Sequence, residues 1–296
     1  METWVLFTLL AALMQSVRTA GQKKLTSHLS PMATTMVRYL FGAPFAAIYL
    51  LLAFTGDLSH GLSVSFSNPS FLVYALLASI AQIAATVCLV KVLALRNFAV
   101  GTVLSKTEAI QAAVFGAIFF SAGISLLGWF AVLLGAGGVF IMSFPGKSLR
   151  LDASSVGYGL LSGLGFACTA LWLRQASLSL EYSFIENAAL TLVFTVLVQS
   201  CLCLGYVLLK EVQQIKILRQ HLPLALFVGV TSCFGSVGWY TAMTFQNAAL
   251  VRSLGQVELI FAAFITYVVF KEKISPRELL GISVITASVL ILLLGI

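Results

Sequence analysis

NFAVGTVLSKTEAIQAAVFGAIFFSAGIS (Asn97–Ser125) lies without a gap over NAALVRSLGQVELIFAAFITYVVFKEKIS (Asn247–Ser275), 150 residues further on. Asn97 falls on Asn247, Ala99 on Ala249, Leu104 on Leu254 and Glu108 on Glu258. Ile110, Ala112, Ala113, Phe120, Ile124 and Ser125 meet Ile260, Ala262, Ala263, Phe270, Ile274 and Ser275. Upstream, Tyr74–Asn97 lies over Leu224–Asn247 at the same offset. Both copies are apolar over lengths that cross a bilayer, and both bury a glutamate. A repeated membrane segment with charges at its centre is a common transporter architecture.

The composition sets the solvent. The chain is 60% hydrophobic and 9% charged, with a mean hydropathy of +1.03. A soluble domain carries about 25% charged residues. This much apolar surface needs lipid around it. The apolar runs are continuous, unlike the alternating segments of about ten residues in a β-barrel. The net charge of +7 is spread over short loops. That pattern marks topology and gives no nucleic-acid surface.

A span needs about 20 helical residues. Ten segments qualify: 3–20, 33–54, 70–94, 98–120, 124–143, 156–178, 184–209, 222–244, 248–270 and 276–295. Short linkers join them, and Pro44 should kink the second span. Spans three to five match spans eight to ten. An odd number of spans per copy turns the second copy upside down. The expected fold is an all-α membrane protein of ten transmembrane helices, arranged as two inverted five-helix repeats over residues 1–146 and 147–296. Gly159, Gly163, Gly135, Gly138, Gly235 and Gly238 are read as close-packing positions between helices. The apolar start, Trp4–Met14, lacks a basic flank and reads as a retained first span.

Charges well inside spans are costly, so they are the first candidates for function. They are Arg38, Lys91, Lys106, Glu108, Arg252 and Glu258. Arg18, Lys91 and Glu186 fall nearer predicted helix ends, where snorkelling explains a charge. Thr102 and Lys106 share one helix face, as do Arg252 and Gln256. The offset maps Thr102 onto Arg252 and Lys106 onto Gln256, so each copy offers one cation and one neutral hydrogen-bonding group. Brought together, these faces make a positive patch suited to a carboxylate. Glu108 and Glu258 are placed on a different face, as ion-pair partners or proton carriers. Trp239 and Tyr240 either line a cavity or mark an interface.

Lys and Arg collect on odd-numbered connections, with Arg174 the exception. The positive-inside rule then puts both termini outside. None of the three His lies mid-span, and the five Cys lack metal spacing. There is no nucleotide-binding glycine loop, H-E-x-x-H or G-x-S-x-G, so neither metal nor enzymatic chemistry is expected.

The stretch Gly235–Ser275 followed by Pro276, with Trp239 in span eight, Glu258 in span nine and Glu272 in the next turn, resembles the EamA-type members of the drug/metabolite transporter superfamily. Arg38 in Met36-Val37-Arg38-Tyr39 is similar to an arginine these proteins often carry in the second helix. The first copy's turn, Ser121-Ala122-Gly123, departs from the pattern by lacking an acid. The resemblance implies alternating-access export or exchange of a small metabolite, such as an amino acid or a related carboxylate. It implies no cofactor, coupling to protons or a counter-solute, a cavity among helices one to four and six to nine, and cytoplasmic termini. A multi-pass protein of the bacterial inner membrane is the expected location. Its partners would be a solute and lipid, with a homodimer left open. A channel-like pathway is the alternative function, and a membrane-embedded enzyme or structural partner a remoter one.

Overall fold

The computed structural model describes residues 2–95, 104–121, 123–143, 153–270 and 275–294, which form helices with no strand among them. In chain order these are α1 (Thr3–Leu25), α2 (Pro31–Leu40), α3 (Ala43–Ala53), α4 (Leu58–Ser67), α5 (Pro69–Ala94), α6 (Glu108–Phe120), α7 (Leu126–Ser143), α8 (Ala153–Leu178), α9 (Phe184–Lys210), α10 (Gln213–Gln220), α11 (Leu222–Phe245), α12 (Ala248–Leu254), α13 (Glu258–Phe270) and α14 (Pro276–Leu294). Among the described residues, seven helical stretches are long and apolar enough to cross a membrane: α1, α2 with α3, α5, α8, α9, α11 and α14. Besides the second predicted segment, which breaks between α2 and α3, two of the ten are interrupted. Residues 104–107 end in a turn before α6 starts, and a 3-10 turn, Gly255–Val257, separates α12 from α13. Residues 98–103 lie outside the described residues. The linkers after the second and seventh predicted segments are not plain loops, since they hold α4 and α10.

Local chemistry explains the boundaries. Pro69 and Pro276 open α5 and α14, where a missing N–H costs nothing. Asn68 Oδ1 accepts from Phe71 N at 3.1 Å, and Ser275 Oγ accepts from Glu278 N at 3.3 Å. Pro44 cannot donate to the carbonyl of Leu40, and the chain breaks at Phe41–Gly42 between α2 and α3. Arg174 on α8 caps the far end of α11. Its Nη1 donates to the carbonyls of Met243 at 2.5 Å and Gln246 at 2.5 Å, which no helical N–H reaches. That accounts for the one cation outside the loop bias.

Three helix pairs carry the closest packing: α5 with α8, α1 with α11, and α7 with α14. The repeat offset turns α5 into α11 and α8 into α1, so it exchanges the first two pairs. A two-fold relation between copies produces this exchange. Small residues sit at each crossing. A methyl on Gly165 would lie 3.1 Å from the carbonyl of Ala81, and one on Gly238 would lie 2.5 Å from the carbonyl of Phe7. Ser162 Oγ donates to Ala85 O at 3.0 Å across one pair, and Ser288 Oγ to Ala131 O at 2.7 Å across another. The outside is apolar: Leu52 is 80% exposed and Leu126 90%. The interior holds buried threonines, glutamines and arginines. This inversion of the soluble pattern is what lipid selects.

Gly238→Ala is therefore predicted to cost about 1–3 kcal/mol, because backbone of α1 stands where the methyl goes. Gly137→Ala, with nothing within 4 Å, should lose nothing. Melting of the purified protein in detergent compares the two.

Candidate functional site

The two breaks fall at equivalent places in the two copies, and each half-helix after the break starts on a glutamate: Glu108 for α6 and Glu258 for α13. A carboxylate there meets the positive end of the helix dipole. Each glutamate then takes its cation from the other copy. Lys106 Nζ lies 2.5 Å from Glu258 Oε2, and Arg252 Nη1 lies 3.4 Å from Glu108 Oε1. The repeat offset exchanges the two acceptors, so the bridges cross between the halves.

Aromatic and amide groups hold this centre. Trp239 Nε1 donates to Gln15 Oε1 at 2.9 Å, and Gln15 Nε2 donates to Glu258 Oε2 at 2.6 Å. Glu258 Oε2 thus accepts from Lys106 and Gln15 together. The Arg252 guanidinium stands over the Trp239 ring at 4.6 Å and near the Phe166 ring at 5.9 Å. Gly255 fits beneath Trp239, since a methyl there would come within 2.3 Å of the indole.

A second polar layer adjoins the first. Arg38 Nη1 donates to Thr86 Oγ1 at 3.0 Å, while Arg38 Nε has no partner among the described residues. Tyr39 Oη approaches Thr86 Oγ1 at 3.3 Å. Gln82 Oε1 accepts from Gln199 Nε2 at 2.6 Å and from Tyr240 Oη at 3.3 Å. Tyr240 Oη also meets Thr195 Oγ1 at 2.8 Å.

The two layers enclose a cavity of about 40 Å³. Of the residues predicted from sequence, Arg38, Lys106, Trp239, Arg252, Glu108 and Glu258 line it. Tyr240 does not line it; it sits behind the wall and holds Gln82, which does. Gln256 turns away toward α7, where a methyl on Gly135 would lie 2.4 Å from Gln256 Oε1. Thr102 lies outside the described residues. The glutamates share the cavity with Lys106 and Arg252 and do not occupy a separate face. The helix breaks between cation and carboxylate undo the angular count of a continuous helix. Gln15, Thr19, Gln82 and Phe166 also line the cavity and were not singled out from sequence. Arg18 does not snorkel. It is 2% exposed and feels the charges of Arg38, Glu258 and Arg252. Glu186 does not snorkel either, for it closes a capping box with Ser183 and accepts from Thr55 N at 3.0 Å. Lys91 stacks on the Tyr158 ring at 4.9 Å.

No group of three His, Cys, Asp or Glu side chains is placed to hold a metal among the described residues. A family model described as the EamA-like transporter family matches residues 2–144 and 153–294. A solved crystal structure of a protein is similar with a TM-score of 0.72 at 15% identity, over 99% of this chain and 97% of that one, which bears on the fold alone. No curated protein matches the sequence.

Lys106→Met should destabilise the protein by about 3–5 kcal/mol, because the Glu258 carboxylate stays buried without its cation. Adding Glu258→Gln to that variant should recover most of the loss. A double-mutant cycle on melting in detergent checks the coupling.

Proposed function

The chain belongs to the EamA-like transporter family, and from that premise we propose that it is a secondary carrier exporting or exchanging a small carboxylate-bearing metabolite by alternating access. The observation that carries this reading is the pair of crossed bridges, Lys106–Glu258 and Arg252–Glu108, around a buried cavity. We take the ten predicted spans as two inverted five-helix units, over residues 1–146 and 147–296. The crossed bridges then tie one unit to the other at mid-membrane.

In this mechanism the solute's acid group competes with a glutamate for its cation. Arg252 offers a fork of N–H donors matched to a carboxylate, while Lys106 is a flexible point charge. Taking either cation breaks one bridge and leaves the other closed, which loosens one side of the molecule at a time. The cavity as it stands holds about three waters at roughly 10–15 Å³ each. A solute therefore requires the helices to part, which suits a carrier better than an open channel. The breaks at residues 106–107 and 255–257 supply hinges at and next to the charges that move.

The test is counterflow in liposomes made with the full chain. Carboxylate-bearing solutes should show saturable counterflow, and a flux linear in concentration without counterflow would sink the carrier reading. Arg252→Ala and Lys106→Ala should each lower it by about 10- to 100-fold, the worth of one charge-assisted contact. Lys91→Ala, whose ammonium stacks on Tyr158 away from the cavity, should leave it unchanged.

A further inference from the structure

The centre of the molecule holds more cations than its carboxylates can balance. Four cationic side chains gather there: Arg18, Arg38, Lys106 and Arg252. Only Glu108 and Glu258 oppose them among the described residues, and each is already bridged, to Arg252 and Lys106 respectively. Arg18 and Arg38 are left without a carboxylate at bridging distance among the described residues. Both are buried, at 2% and 3% exposure. Arg18 Nε and Nη1 and Arg38 Nε find no acceptor among the described residues. Arg38 lines the cavity, and Arg18 stands within its electrostatic reach.

Two uncompensated guanidinium groups in a low-dielectric interior repel each other and have lost their hydration. Packing needs do not explain them, because a buried apolar side chain would serve better. An anion explains both the charge and the open donors. We infer that Arg38, backed by Arg18, is a docking subsite for anion, and that the solute brings two negative charges. This rests on the carrier reading for what the site is used for; it sets the charge of the solute at two and extends its acid groups from carboxylates to phosphate monoesters.

Charge balance separates the solute classes. A zwitterionic amino acid carries its own cation and leaves the excess unchanged. A monocarboxylate removes half of it. A dianion, either a dicarboxylate or a phosphate monoester, cancels it. Its geometry also fits: the planar guanidinium of Arg38 takes one acid group, with the Thr86 and Tyr39 hydroxyls beside it. Arg252 lies across the same cavity for a second acid group, its own Nε also without a partner among the described residues.

Melting of the full chain in detergent, at fixed ionic strength, tests this with four probes: succinate, glycerol 3-phosphate, lactate and alanine. Succinate or glycerol 3-phosphate should raise the midpoint saturably, and which of them does so tells dicarboxylate from phosphate ester. Lactate and alanine should have little effect. Arg38→Gln should weaken the dianion effect about 10- to 100-fold without lowering the ligand-free midpoint, and Arg38→Lys should retain part of it. Equal stabilisation by alanine or lactate overturns the charge assignment, as does no stabilisation by either dianion. An unchanged dianion response in Arg38→Gln overturns the role of Arg38. Dianion binding without counterflow of any solute would instead defeat the carrier reading and leave the subsite standing.

Discussion

Charge buried in a low-dielectric interior must find its opposite, and in this chain two of the opposites lie in the other half of the sequence. Lys106 and Glu258 are 152 residues apart, and Arg252 and Glu108 are 144 apart. Each glutamate takes its bridging cation from the other half. The packing of α1 on α11 and of α5 on α8 follows the same exchange, with small residues letting the helices close in. Charge pairing and helix packing thus impose one arrangement on the two copies. A single break in either would be felt in both.

The aromatic and amide groups around the bridges have a narrower task. Gln15 connects the indole of Trp239 to the carboxylate of Glu258, so one side chain on α1 fixes two on the second copy. Trp239 in turn lies under the guanidinium of Arg252. The positions of two charged groups, Glu258 and Arg252, are therefore coupled through neutral ones. Such coupling is what makes a site able to switch between a few arrangements, since one displaced partner releases several others.

Much of this was legible in the sequence, and the reasons for the gaps are physical. The repeat, the helical class and the intramembrane charges follow from hydropathy and the 150-residue offset. Arg18 was misplaced because the first span was ended at residue 20, whereas α1 runs on to Leu25 and carries Arg18 well inside. The facing of Gln256 and of the two glutamates was misjudged because a turn of 100° per residue was carried through a stretch that is not α-helical. Gln15 and Gln82 carry no formal charge, so a search for charges passed over them. Their mid-span position was the available signal. Tyr240 was paired with Trp239 on adjacency, but neighbours on a helix point about 100° apart, and only the indole reaches the cavity.

The crossing of the bridges also bears on how the chain came to differ from its own duplicate. In a lone ancestral unit every such bridge would have joined two separate molecules, and both would have carried the same cation at the same place. Joining two units in one polypeptide lifts that demand. The acids have remained alike, Glu108 beside Glu258, while the bases have drifted to separate positions, Lys106 opposite Gln256 and Arg252 opposite Thr102. The halves have become complementary specialists, each supplying the cation that the other's glutamate takes.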